Sequence, residues 1–140
     1  MDYGAIIANY LAIARSGRDD EAFHGLIDFT ADIVPSLVQG FHKNSGTEVQ
    51  RFLLDVIIEY RNPASLEFVT SLLFSSDSRL CSMGLDGLVK ISTTEARSVV
   101  QSAIQHHPRR QDSTFSRELQ QAMDDIEWML ARNGNEEVRS

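Results

Sequence analysis

A single cysteine, Cys81, stands among the 140 residues. One thiol can neither close an intramolecular disulfide nor build a thiolate metal cluster. Such usage fits a reducing compartment, so the expected location is cytoplasmic. Three prolines and eight glycines are too few for a fibrous or low-complexity chain. Positive charge is also short: 13 Lys and Arg stand against 20 Asp and Glu, a formal net charge of −7. That field repels nucleic-acid phosphates and anionic lipid and attracts basic partners, so neither nucleic acid nor membrane is expected as a partner. The opening Met1-Asp2-Tyr3-Gly4 lacks the basic region of a secretory signal. The apolar stretch Ala5 to Ala14 is broken by Asn9, and no run approaches the ~20 apolar residues that span a bilayer.

The signatures of catalysis and cofactor binding are missing as well. His24, His42, His106 and His107 have neither the HExxH spacing nor cysteine partners, so no metal site is expected. His106 and His107 read best as charges favoured by a helix C-terminus. Cys81 has no base nearby in sequence and lies between Leu80 and Met83, so it reads as a small buried hydrophobe. There is no GxSxG elbow and no glycine fingerprint for phosphate. Gly84 and Gly87 fall inside a helical pattern, where close approach of another helix explains them best. Arg109-Arg110, with Arg117, is the one local basic cluster. The expectation is therefore no enzyme, no catalytic residue and no cofactor.

What is present is helical periodicity along nearly the whole chain. Ile6, Ile7, Tyr10, Leu11 and Ala14 mark a first helix, ended at Ser16-Gly17. Phe23 to Val38 reads as one segment that Pro35 kinks or splits in two. Thr47-Glu48-Val49-Gln50 reads as a capping box opening a broadly buried helix through Tyr60. Asn62 should cap the next helix, with Pro63 in its first position. Two further helices follow, over Leu80 to Ile91 and Ala96 to Ile104, the latter opened by a capping box at Ser92-Thr93-Thr94-Glu95. A last helix carries Phe115 to Leu130 and should stop at Asn133-Gly134. The β-branched run Val56-Ile57-Ile58 lies inside a helical period and is read as helix.

The segments also match one another. Val49, Phe52, Leu54, Asp55, Ile57 and Ile58 fall on Leu80, Met83, Leu85, Asp86, Leu88 and Val89 at a shift of 31. Leu66, Val69, Leu73 and Phe74 fall on Ala96, Val99, Ala103 and Ile104 at a shift of 30. Met123, Asp124 and Ile126 make a looser third copy. Periods of this length indicate a helical solenoid.

The stretch from Ser76 to Ile91, with Asp77 in its turn, Gly84 and Gly87 mid-helix and a late Leu88, resembles the short HEAT-like repeats. A Pro-kinked first helix, here at Pro35, also belongs to that pattern. The family's usual Arg early in the second helix is replaced here by Cys81 or Ser82. The resemblance covers residues 21–132 and implies an all-α fold: a right-handed solenoid-like stack of about three antiparallel helix pairs plus an N-terminal helix. The expected organisation is one helical-repeat domain over 1–132 and a flexible tail over 133–140.

Binding follows from the acids. Asp55, Asp86 and Asp124 recur at matched positions; Glu59 follows Asp55 by a turn, and Asp125 and Glu127 flank the last site. Stacked helices would align them as a ladder for a basic partner, the family's second helices lining its usual binding surface. The competing reading is a solvated face with pairs such as Arg51–Asp55 and Asp86–Lys90. Trp128 is either core or an interface anchor. Short, acidic, all-helical chains of this kind look like bacterial immunity proteins, and that likeness implies a basic protein partner such as a toxin nuclease domain. A generic scaffold and, more remotely, a lyase-type enzyme subunit are the alternatives.

Overall fold

The computed structural model describes the backbone of residues 2–139 and the side chains of residues 2–133. Its elements are α1 (Tyr3–Arg15), α2 (Asp19–Leu26), a 3-10 turn (Ala31–Ile33), α3 (Val34–Lys43), α4 (Thr47–Tyr60), α5 (Pro63–Leu73), α6 (Ser78–Ile91), α7 (Thr94–His106) and α8 (Ser113–Arg139). The chain is all-α: no strand occurs among the described residues, and the Val56-Ile57-Ile58 run is helical. Nor is any helix among them long and apolar enough to cross a membrane. Two compact units are resolved, Met1–Ser65 and Leu66–Ser140.

In the first unit α1 packs on α2 and α3, and α3 packs on α4. Asp2 caps α1 by accepting the Ala5 N–H at 3.1 Å. Pro35 lies in the first turn of α3, so the segment is two helices rather than one kinked helix. Ile33, Leu37, Phe41, Leu53 and Ile57 are fully buried here. The Tyr60 hydroxyl donates to the Leu26 carbonyl.

The capping box expected at Thr47–Gln50 does not form. The cap is Gly46, which makes no side-chain bond, and Thr47 is already helical. Gln50 is turned inward instead, only 6% exposed, and its Nε2 donates to the Phe41 carbonyl at 3.2 Å. Burial against α3 has taken the side chain that the box would need. The second box is also displaced, by one residue: Thr93 is the cap and accepts the Ala96 N–H at 3.1 Å.

That displacement corrects the repeat register. α4 and α6 begin and end 31 residues apart, at Thr47 and Ser78 and at Tyr60 and Ile91. Each ends in a left-handed residue, Arg61 at φ 50° and Ser92 at φ 49°. The next caps keep the same offset: Asn62 Oδ1 accepts the Ser65 N–H at 3.0 Å, as Thr93 does for Ala96. α5 and α7 therefore also match at 31, not 30, and the shift pairs the buried positions Ser65 with Ala96, Val69 with Val100 and Leu72 with Ala103.

In the second unit α6, α7 and α8 contact one another. Asp77 caps α6, accepting the Arg79 N–H at 2.9 Å and the Leu80 N–H at 3.4 Å. Gly84 lies where α6 meets the backbone of α5: a Cβ there would sit 2.4 Å from the Leu73 nitrogen and 2.7 Å from the Val69 oxygen. Close helix approach does explain that glycine. α8 ends at Arg139 and not at Asn133-Gly134, since one glycine costs a helix only about 1 kcal/mol and is not by itself a stop. The tail expected at 133–140 lies, from residue 134 onward, outside the residues whose side chains are described.

Candidate functional site

All six carboxylates singled out in the sequence are exposed. Asp55 and Glu59 belong to the first unit, on α4; Asp86, Asp124, Asp125 and Glu127 belong to the second. Asp55 lines a groove of about 500 Å³ in the first unit, which also holds Asp19 and Glu48 but includes Arg15 and Arg51. Its charge is therefore mixed.

The second unit holds a groove of a different kind, about 350 Å³, between α6 and α8. Asp86 of α6 and Glu118 and Asp125 of α8 line it; Leu85, Val89 and Ala122 supply apolar surface, with Ser82 and Gln121 completing the wall. Its described lining includes three carboxylates and no base. Helical spacing explains the α8 contribution: Glu118, Ala122 and Asp125 stand at i, i+4 and i+7, which is one face. Carboxylates gathered along a cleft with apolar walls focus a negative field, which attracts cationic groups.

Only two of the six carboxylates, Asp86 and Asp125, meet in this groove. Asp124 is not part of its lining; it accepts from Gln120 Nε2 at 3.2 Å. Asp125 accepts from Gln121 at 2.9 Å. Glu127 forms an ion pair with Arg97 of α7 at 3.0 Å. Both partners are about half exposed, so the pair is worth at most about 1 kcal/mol. Glu118 was missed in the sequence because it has no counterpart in the repeat match. The signal that could have found it is its i+7 relation to Asp125.

A second cluster surrounds Cys81. The thiol is fully buried, as its neighbours Leu80 and Met83 imply. The sequence did not reveal that His107, 26 residues away, is buried with it, Sγ to Nε2 3.8 Å. The hydrogen bonds decide what this pair can do. His107 Nδ1 accepts the Arg109 N–H at 3.0 Å, so the proton sits on Nε2 and is donated to the Leu73 carbonyl at 2.7 Å. The ring is therefore a neutral imidazole, and the imidazolium reading is corrected for His107. With its proton on the nitrogen nearest the sulfur, His107 is no base for Cys81. The thiol itself donates to the same Leu73 carbonyl at 3.0 Å. Both side chains thus satisfy a carbonyl orphaned at the end of α5.

Burial pushes the Cys81 thiol up from its ordinary 9.0, and the Arg109 charge, which pulls it down, does not win. A raised thiol is a poor nucleophile at neutral pH. The folded value lies above the unfolded one, so the stabilisation is complete below pH 9.0 and is lost as pH rises through the folded value. Burial raises Tyr60 above its ordinary 10.0 in the same sense. We expect stability to decline from about pH 9 upward. Cys81→Ala should remove the earlier part of that decline while costing about 1 kcal/mol at pH 7. Urea titrations of both proteins at pH 7, 9 and 10 test this; identical pH profiles would rule out a role for the thiol.

The basic cluster is engaged locally. The Arg109 guanidinium lies 4.8 Å from the Phe115 ring centre, and Arg110 donates to the His107 carbonyl at 3.0 Å. Two large apolar side chains among the described residues are exposed, Phe74 at 42% and Trp128 at 60%. Phe74 stacks on His107, with centroids 5.1 Å apart. Trp128 is not core. Compared with family models, curated proteins and solved structures, the chain matches none.

Proposed function

We propose that this chain is a protein-binding module that receives a basic segment of its partner in the α6/α8 groove. The observation that carries this reading is the meeting of Asp86, Glu118 and Asp125 around the apolar surface of Leu85, Val89 and Ala122. The partner class that best fits an acidic groove on a small all-helical protein is a basic, nucleic-acid-cleaving bacterial toxin. On this reading the chain is a cytoplasmic immunity protein that occupies the toxin's substrate cleft. The proposed architecture is a HEAT-like stack of antiparallel helix pairs. The common 31-residue offset of helix ends, caps and buried positions supports it. The mixed-charge groove of the first unit favours a second reading, a scaffold with a separate binding surface in each unit.

The test is association kinetics with the protein product of the neighbouring reading frame at two salt concentrations. Asp86→Asn/Glu118→Gln/Asp125→Asn should slow association about tenfold at low salt and flatten its salt dependence. Circular dichroism should be unchanged, because all three positions are exposed. A single sub-nanomolar partner fits an immunity protein, and several weaker ones fit a scaffold. Equal rates for the triple variant and the parent at both salt concentrations would show that the groove is not the binding surface.

A further inference from the structure

α8 turns Phe115, Leu119, Ala122 and Ile126 inward, all of them buried. Trp128 follows Ile126 by two residues, a rotation of about 200°, so it stands on the far side of the helix from the core. It is the single tryptophan of the chain and is 60% exposed, with the Arg132 guanidinium 5.4 Å from its ring centre. Asp124 lies one turn before it and Arg132 one turn after, both exposed. Acid, aromatic and base at steps of four form one stripe on the helix surface.

Such a stripe is complementary to itself. When two copies of α8 cross antiparallel about a two-fold axis through Trp128, position 124 of each falls opposite position 132 of the other. Asp125 falls opposite Ala131, so no acid meets an acid in register. Isologous contacts of this kind are the commonest way in which like chains associate. We propose that the outer stripe of α8 is a self-association surface: two copies of this chain meet antiparallel at Trp128, and Asp124 of each pairs with Arg132 of the other. One helix crossing buries less than about 1,200 Å², and each copy carries −7, so the dimer is weak and concentration-dependent. Asp124, Trp128 and Arg132 are not part of the α6/α8 groove lining, and the inference stands apart from the function proposed above.

The lone tryptophan reports on its own burial. Between about 1 µM and 1 mM, a range that brackets weak affinities, the emission maximum of the full chain should shift to the blue as sedimentation equilibrium records dimer. Asp124→Arg and Arg132→Asp should each weaken dimerisation about tenfold or more, because each sets like charges opposite one another. The exchange variant Asp124→Arg/Arg132→Asp restores the complementarity and should return the dimerisation constant to within about threefold of the parent. Circular dichroism controls for folding. Monomer throughout the concentration range overturns the proposal. So does a dimer indifferent to the single reversals, or an exchange variant as weak as the single ones.

Discussion

Leu88→Ala is expected to lower the free energy of unfolding by about 2–5 kcal/mol. Leu88 is fully buried in α6 of the second unit. Truncation removes three carbons from an apolar site and leaves a cavity that a close-packed interior closes only in part. Ile57, 31 residues earlier on α4, is equally buried, and Ile57→Ala should cost a similar amount within the first unit. Leu80, half-buried near the start of α6, should cost clearly less. Urea unfolding followed by circular dichroism measures all three. A midpoint unchanged by Leu88→Ala would remove the register that places Leu88 in α6, like Ile57 in α4, on the inward face of its helix.

The second large effect has an unusual sign. Gly to Ala inside a helix ordinarily stabilises by about 1 kcal/mol, through backbone entropy. Gly84→Ala should instead destabilise by about 1–3 kcal/mol. The new Cβ would stand 2.4 Å from the Leu73 nitrogen and 2.7 Å from the Val69 oxygen, and both are backbone atoms. No rotamer change relieves such a clash; α6 has to move away from α5. That movement would also disturb the Leu73 carbonyl, which accepts from Cys81 and His107. Gly40 in α3 is the control. A Cβ there meets side-chain carbons of Leu53 at 3.6 Å and Ile7 at 3.8 Å, ordinary van der Waals contact. Gly40→Ala should therefore be neutral or stabilise by up to about 1 kcal/mol. Thermal unfolding of the two variants decides it, and a gain in stability for Gly84→Ala would mean that the two helices do not meet so closely.

The all-helical class was legible because periodicity and punctuation are local. Leu54, Ile57, Leu85 and Leu88 recur at helical spacing, and all four are buried. Pro35 lies at the start of a helix, and Asn62 caps the helix that Pro63 opens, because a missing N–H and a short side-chain acceptor act within one turn. Other features depended on groups far apart in the chain. Gln50 could have closed a capping box, but contact with Phe41 draws it inward. Cys81 and His107 were each visible as residue types, yet their shared acceptor, the Leu73 carbonyl, is set by where α5, α6 and the end of α7 come together. The acidic site shows the same division. Adjacent residues on a helix differ by about 100° in direction, so the rotation of α8 against α6 selects Glu118 and Asp125 for the groove and leaves Asp124 outside it. A sequence pattern determines that a helix has an inward face and, at Pro35 and at Asn62-Pro63, where it begins. Which neighbour that face meets, and which of two adjacent carboxylates then borders a cleft, is decided by packing among residues dozens of positions apart.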